Sequence, residues 1–164
     1  PTTFSNDIYG LDFGFNDPSV LIHAVYKERE VWLEQLIFRS GLTNQELIKE
    51  IMDVIPENKR NKPIYADTAE PDRIKEMRQK GLYIKEAKKS VKEGIDFVKR
   101  MKLHITKDSL ETLKEIKGYS YKKDTKRNLT LDDPIPYADH SMDSIRYCLF
   151  THLHNVATYR VRWI

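Results

Sequence analysis

The chain is short of the residues that staple or anchor a protein. It has one cysteine, Cys148, and six glycines in 164 residues. One thiol rules out an internal disulfide and fits a reducing cytoplasm, with no redox chemistry indicated. His23, His104, His152 and His154 show no metal-ligand spacing with a cysteine, so they read as structural or exposed and no zinc site is predicted. No apolar run approaches the ~20 residues of a membrane helix, and the amino terminus lacks a basic start and an apolar signal core, so a membrane role is not expected. The phosphate-loop pattern G-x-x-x-x-G-K-[ST] is missing, and ATP is not expected to bind. There is no internal repeat and no low-complexity tract. A net charge of +3 is too mild to signal nucleic acid by itself, so such a partner has to be argued from where the lysines lie.

What is present is a globular balance, 40% hydrophobic and 32% charged residues, in a chain the size of one domain, 1–164, with a predicted core over about 7–153. Three strand-like runs come first, Asp7 to Gly14, Ser19 to Lys27 and Glu30 to Arg39, and their short links favour antiparallel pairing. The period then changes. "TNQELIKEIMDVI" sets Leu47, Ile48, Ile51, Met52 and Ile55 on one helical face, with Thr43 and Glu46 at capping-box spacing. "KPIYAD" reads as a short buried strand, "EPDRIKEMRQKG" as a helix with Pro71 in its first turn, and "LYIKEA" as another strand. Helices are predicted from Ser90 to Lys102, from Ser109 to Lys117 and from Ala138 to about Leu153. "GYSYKKDTKRNLTLDDPIPY" suggests an auxiliary hairpin or extended loop before the last helix. The tail 154–164 is compatible with an edge strand or with disorder. Three antiparallel strands followed by β-α-β alternation imply an α/β architecture, a mixed sheet flanked by helices in the ribonuclease H-like order.

The run "YGLDFGFNDPSVLI" places a carboxylate, Asp12, between two glycines inside an apolar strand. An ionised acid there is costly unless a cation meets it. Ile8, Gly10, Asp12 and Gly14 share one face by the strand period of two, and the glycines leave room around the acid. Asp67 closes "YAD" at the carboxyl end of a strand, where open α/β sheets place ligands, and in this fold order that strand pairs beside the first. In "YADHSMDSIRY", Asp139 and Asp143 lie one helical turn apart, with His140 three residues before Asp143. Acids converging from two strands and a helix repel unless divalent cations neutralise them, and an oxygen-rich, sulfur-free set suits Mg²⁺ or Mn²⁺. Two ions ~4 Å apart could activate water and stabilise the leaving oxygen of a phosphodiester.

"GLDFG", "YADTAEP" and "DHSMDSIRY", in that order and spacing, resemble the three acidic motifs of the nuclease domain of tailed-phage large terminase subunits, over about Ile8 to Leu153. The resemblance implies that Asp12, Asp67 and Asp143 hold metal and that His140 is an auxiliary catalytic residue, with Asp139 as a secondary candidate; Glu70 is a further secondary candidate, for which a helix-entry role is the plainer reading. It implies a two-metal endonuclease that cuts concatemeric viral double-stranded DNA during packaging in the cytoplasm of an infected bacterium. It also implies a longer protein with an amino-terminal ATPase, the portal and the small terminase subunit as partners. The same fold and acids would serve a junction resolvase or transposase-like nuclease, and a nucleic-acid-binding domain without catalysis is the reading of a different class.

Each residue has a plainer reading as well. Asp67 can cap the next helix with Glu70, Asp17 can form the "NDPS" turn, and Asp143 and His140 can be helix-surface residues. Lys88, Lys89 and Lys92, and the hairpin group Lys122, Lys123, Lys126 and Arg127, are candidate DNA contacts, although such clusters are usually solvated faces. Lysines there would grip phosphate and set affinity without choosing sequence.

Overall fold

The computed structural model describes residues 6–126 and 139–160, with side chains described over 6–118 and 139–154. Six strands form one mixed sheet: β1 (Asp7–Asp12), β2 (Ser19–Lys27), β3 (Glu30–Arg39), β4 (Ile64–Ala66), β5 (Ile84–Glu86) and β6 (Lys102–Ile105), in the order β5-β4-β1-β2-β3-β6. β1, β2 and β3 are antiparallel neighbours, while β4 and β5 run parallel beyond β1, and β6 runs parallel to β3. Among the described residues five α-helices accompany the sheet, α1 (Asn44–Val54), α2 (Pro71–Gln79), α3 (Val91–Lys99), α4 (Leu110–Lys126) and α5 (His140–Arg160), with a short 3-10 helix over Glu57–Lys59.

Strand alternation divides the core between two faces. Tyr9, Leu11 and Leu21 pack with Leu47, Ile51, Ile74 and Met77 of α1 and α2. Ile8, Val20 and Ile22 pack with Val98 of α3 and with Ile145, Cys148 and Leu149 of α5. The α5 backbone lies directly on β1: a Cβ on Gly10 would sit 1.8 Å from the Ser144 carbonyl oxygen. The room left by Gly10 therefore goes to a helix backbone rather than to the acid. Gly14 lies beyond the end of β1, in a turn where a Cβ would meet the carbonyls of Asp17 and Pro18. The α1 capping box forms as its spacing implies, with Glu46 N–H donating to Thr43 Oγ1 and Thr43 N–H to Glu46 Oε2.

Three segments differ from the sequence reading. The helix expected over Ser90–Lys102 stops at Lys99, and "KLHI" becomes β6, because Lys102 N–H donates to Arg29 O and pairs the chain with Glu30–Leu33 of β3. The expected hairpin is helical over Gly118–Lys126, as a continuation of α4. One glycine within a helix costs only ~1 kcal/mol, and the turn-forming Asn128, Asp132 and Pro134 all follow Lys126, so nothing local stops the helix earlier. The remainder of that expected hairpin, 127–138, lies outside the described residues. The last helix runs to Arg160, which excludes an edge strand over 154–160; residues 161–164 lie outside the described residues. No helix among the described residues is long and apolar enough to cross a membrane.

Candidate functional site

The carboxyl ends of β1 and β4 lie side by side, and the first turn of α5 meets them on one sheet face. Asp12 is the last residue of β1, with its side chain 12% exposed, and its Oδ2 is 2.9 Å from His140 Nδ1 at the start of α5. Burial first, then repulsion from Asp143 and Asp139, pushes the Asp12 carboxyl up to about 7 against the pull of His140. Burial would lower the His140 imidazole, but its bond and charge interaction with Asp12 outweigh that and raise it.

Asp143 follows on the same helix. Burial and then repulsion from Asp139 raise its carboxyl, although Arg146 donates from Nη2 to Asp143 Oδ1 at 3.1 Å. Asp67 sits just past β4, where burial favours its neutral form but is overcome by Lys89 Nζ at 2.7 Å and by the Ala69 amide at 3.0 Å, so its pKa is lowered. That amide belongs to the loop before α2, so Asp67 is not a helix cap; Glu70 is the N-cap residue and makes no side-chain cap bond. The fields of Asp143, Asp12 and Asp67 all act on the Tyr147 hydroxyl, which they raise together with burial.

The structure thus gathers Asp12, His140, Asp139 and Asp143, and places Asp67 across from them with Lys89. Each of the three principal acids already faces a cationic or protonatable partner: Asp12 has His140, Asp67 has Lys89 and Asp143 has Arg146. Among the described residues no group of three or more His, Cys, Asp or Glu side chains encloses an ion-sized space. The donor chemistry still fits a hard cation. The acids present carboxylate oxygens and no sulfur, and a buried carboxyl held near 7 by burial and neighbouring acids is one that a divalent charge would ionise.

Other predicted residues lie apart. Glu70 is exposed, and its charge acts on Arg73. Asp17 is 77% exposed and stands 3.9 Å from His140 Nε2. Lys88 and Lys89 form a strap over α5, pinned by Lys88 N–H donating to Thr151 Oγ1. Lys122, Lys123 and Lys126 fall on α4 rather than on a hairpin, and Arg127 lies outside the described residues. His23 pairs with buried Asp7 at 2.6 Å and His104 with Glu30 at 2.8 Å, which are structural roles.

Two residues of the site escape the sequence reading. Arg146 is 7% exposed, and its Nη1 is buried with no partner among the described residues. Its spacing of i+3 from Asp143 is the available signal. Glu115 of α4 accepts from the Ser141 amide at 2.7 Å and so holds the amino-terminal turn of α5, on which His140 and Asp143 are carried. It stands 26 residues before Ser141 in sequence, and no local pattern marks it.

Residues 12–150 match the family model described as the terminase RNase H-like domain. The chain belongs to that family. It is a terminase large-subunit nuclease domain in fold, and solved structures agree. The large terminase of a thermophilic bacteriophage superposes with a TM-score of 0.70 at 23% identity, over 92% of this chain and 40% of that one. The nuclease domain of the bacteriophage SPP1 large terminase g2p, solved with bound Mn, gives 0.69 at 21% identity over 90% and 86%. The P22 large terminase nuclease domain gives 0.68 at 14% over 91% and 81%. The terminase chain described here thus spans about two fifths of the thermophilic-phage protein. No curated protein matches it in sequence.

Proposed function

We propose that this terminase domain is a divalent-metal-dependent endonuclease that cuts concatemeric viral double-stranded DNA during genome packaging. The observation that carries this is the convergence of Asp12 and Asp143 with His140 in one half-buried cluster, where the Asp12 carboxyl stands near 7. The family match favours packaging over the resolvase reading. Asp12, Asp67 and Asp143 would hold Mg²⁺ or Mn²⁺, and the SPP1 nuclease domain is a relative solved with bound Mn. When bound, one or two such ions would supply the charge that neutralises these acids and a phosphodiester, and would lower the pKa of a nucleophilic water.

The chain's own residues prepare that chemistry. His140 holds the Asp12 carboxylate in place through Nδ1, and in its protonated form can give up a proton at Nε2, which faces the exposed side of the site. Arg146 fixes one Asp143 oxygen, and the other accepts no hydrogen bond among the described residues. Lys89, paired with Asp67 at 2.7 Å, would have to give way if Asp67 held a cation, and its charge would then be available to a DNA phosphate. In the intact protein the portal, the small terminase subunit and an ATPase on a separate region are the expected partners, in the cytoplasm of the infected host.

The test is incubation of supercoiled plasmid with the protein and Mg²⁺, Mn²⁺ or chelator. Nicked and linear products are expected only with metal. Intact plasmid in every lane, together with no metal-induced thermal shift, would instead assign a binding module.

A further inference from the structure

A cavity of about 570 Å³ lies away from the acids, on the α5 side of the β4–β5 edge. Arg78 from the end of α2, Lys85 of β5 and Lys88 of the strap line it, with Glu86 as the one acid. Arg78 spends one donor, Nε, on the Ile84 carbonyl at 3.0 Å, and that bond orients the guanidinium while its other donors have no partner among the described residues. Lys85 lies over the exposed Tyr83 ring. Lys88 Nζ is engaged with His154 at 3.4 Å, and Arg78 and Lys85 against Glu86 still leave the lining net positive, which in a cavity of this size fits an anionic group.

The cavity floor carries a second, independent sign. His152 Nε2 is 3.0 Å from Tyr26 Oη, and His152 Nδ1 is 2.6 Å from Tyr65 Oη. Burial, then Lys85, lowers the His152 pKa, so the ring is neutral. A neutral imidazole has one N–H and one bare nitrogen, so one tyrosine donates to the ring while the other accepts from it. The accepting tyrosine keeps its own O–H free to donate elsewhere, and among the described residues neither hydroxyl has another partner. Tyr65 lines the cavity and Tyr26 does not. An acceptor in the cavity would therefore select the tautomer in which Nδ1–H donates to Tyr65 and the Tyr65 O–H points at the ligand.

We propose that this cavity binds a phosphodiester group of the DNA strand, through Arg78, Lys85 and the hydroxyl of Tyr65, as an anchor outside the cleavage acids. Tyr65 precedes Asp67 by two residues, roughly 7 Å of extended chain. Thr151 follows Asp143 by eight residues on α5, about 12 Å of helix. At about 3.4 Å of axial rise per phosphate on one strand, the anchor lies roughly two to four phosphates from the cut. The inference rests on the nuclease reading for the identity of the ligand, whereas the anion site rests on the cavity alone.

The test has two probes, inorganic phosphate and a short DNA duplex, applied to the protein in chelator so that no cleavage occurs. The readouts are the ¹⁵N shifts of the His152 ring nitrogens and the salt dependence of duplex binding. Both probes should move His152 toward the Nδ1–H tautomer, and Arg78→Gln with Lys85→Gln should flatten the log–log salt slope by about two units. Tyr65→Phe should abolish the tautomer response while leaving the slope in place. A response to phosphate but not to duplex would overturn the strand-anchor role and leave a free-phosphate site. Silence to both probes, or an unchanged salt slope, would overturn the site altogether. Plasmid cleavage with Mn²⁺ by the parent protein reports separately on the nuclease reading, so the two failures are distinguishable.

Discussion

The three principal acids differ in what their removal would expose. Asp12→Asn relieves repulsion on a buried carboxyl and should leave the metal-free fold as stable as the parent or slightly more so, while cleavage falls to background. Asp143→Asn should also abolish cleavage, but it weakens an ion pair of a guanidinium that is 7% exposed. Its metal-free stability should drop by about 1–2 kcal/mol, a few degrees in Tm, a penalty that Asp12→Asn lacks. Equal melting of the two variants would show that Arg146 finds another partner. Asp7 gives a pH signature away from the site. Burial works to raise its carboxyl, but Lys59 at 2.9 Å and His23 at 2.6 Å outweigh burial and bring it below the ordinary 3.8. A depressed folded-state pKa means stability that is present above the unfolded value and lost as pH falls through the folded one. Asp7→Asn should therefore be less stable than the parent at pH 7, with the gap in urea midpoint closing below about pH 4.

At the scale of elements, α5 decides the site, because it carries His140, Asp143 and Arg146 and lies on the backbone of β1. Gly10→Ala would force a Cβ against the Ser144 carbonyl, where two backbones have no flexible side chain to yield. We expect a loss of about 2–3 kcal/mol, of the order of 5–10 °C in Tm. Cleavage should fall at temperatures well below the melt, since a lifted helix moves His140 away from Asp12. Unchanged activity in a destabilised Gly10→Ala protein would mean that α5 shifts along its own axis without opening the site. The strands β1 to β3 and the α1 cap are legible because period and capping are local properties. β6 is not, since "KLHI" becomes a strand only through pairing with β3 some 70 residues earlier. The extension of α4 is hidden for the opposite reason: the turn residues that suggest a hairpin lie downstream of Lys126 and do not act on the residues before them.

For the whole molecule, metal should act as a ligand of the folded state. Mn²⁺ at about ten times its dissociation constant should add about 1.4 kcal/mol, a few degrees of Tm, and this shift should vanish in Asp12→Asn. Carboxylates shared with a phosphate hold Mg²⁺ weakly, so saturation should need millimolar ion. ATP should change neither cleavage nor melting of this chain, since the phosphate-loop pattern is absent. Sequencing the ends of a digested plasmid checks a further expectation, that cuts show little base preference. Stimulation by ATP would overturn the assignment of energy coupling to another region.

The sequence by itself determined the order of most elements, the two-faced sheet and the acidic motifs, because side-chain period, capping and motif spacing are written along the chain. Tertiary structure decided how the acids are balanced. Lys89 meets Asp67 only because the strap after β5 crosses α5, where Thr151 holds the Lys88 amide. Glu115 reaches the Ser141 amide, and Tyr26 and Tyr65 close on His152, across sequence gaps of 26, 126 and 87 residues. Such contacts follow from how the sheet and helices stack, and the burial that shifts a carboxyl does not exist until they have stacked.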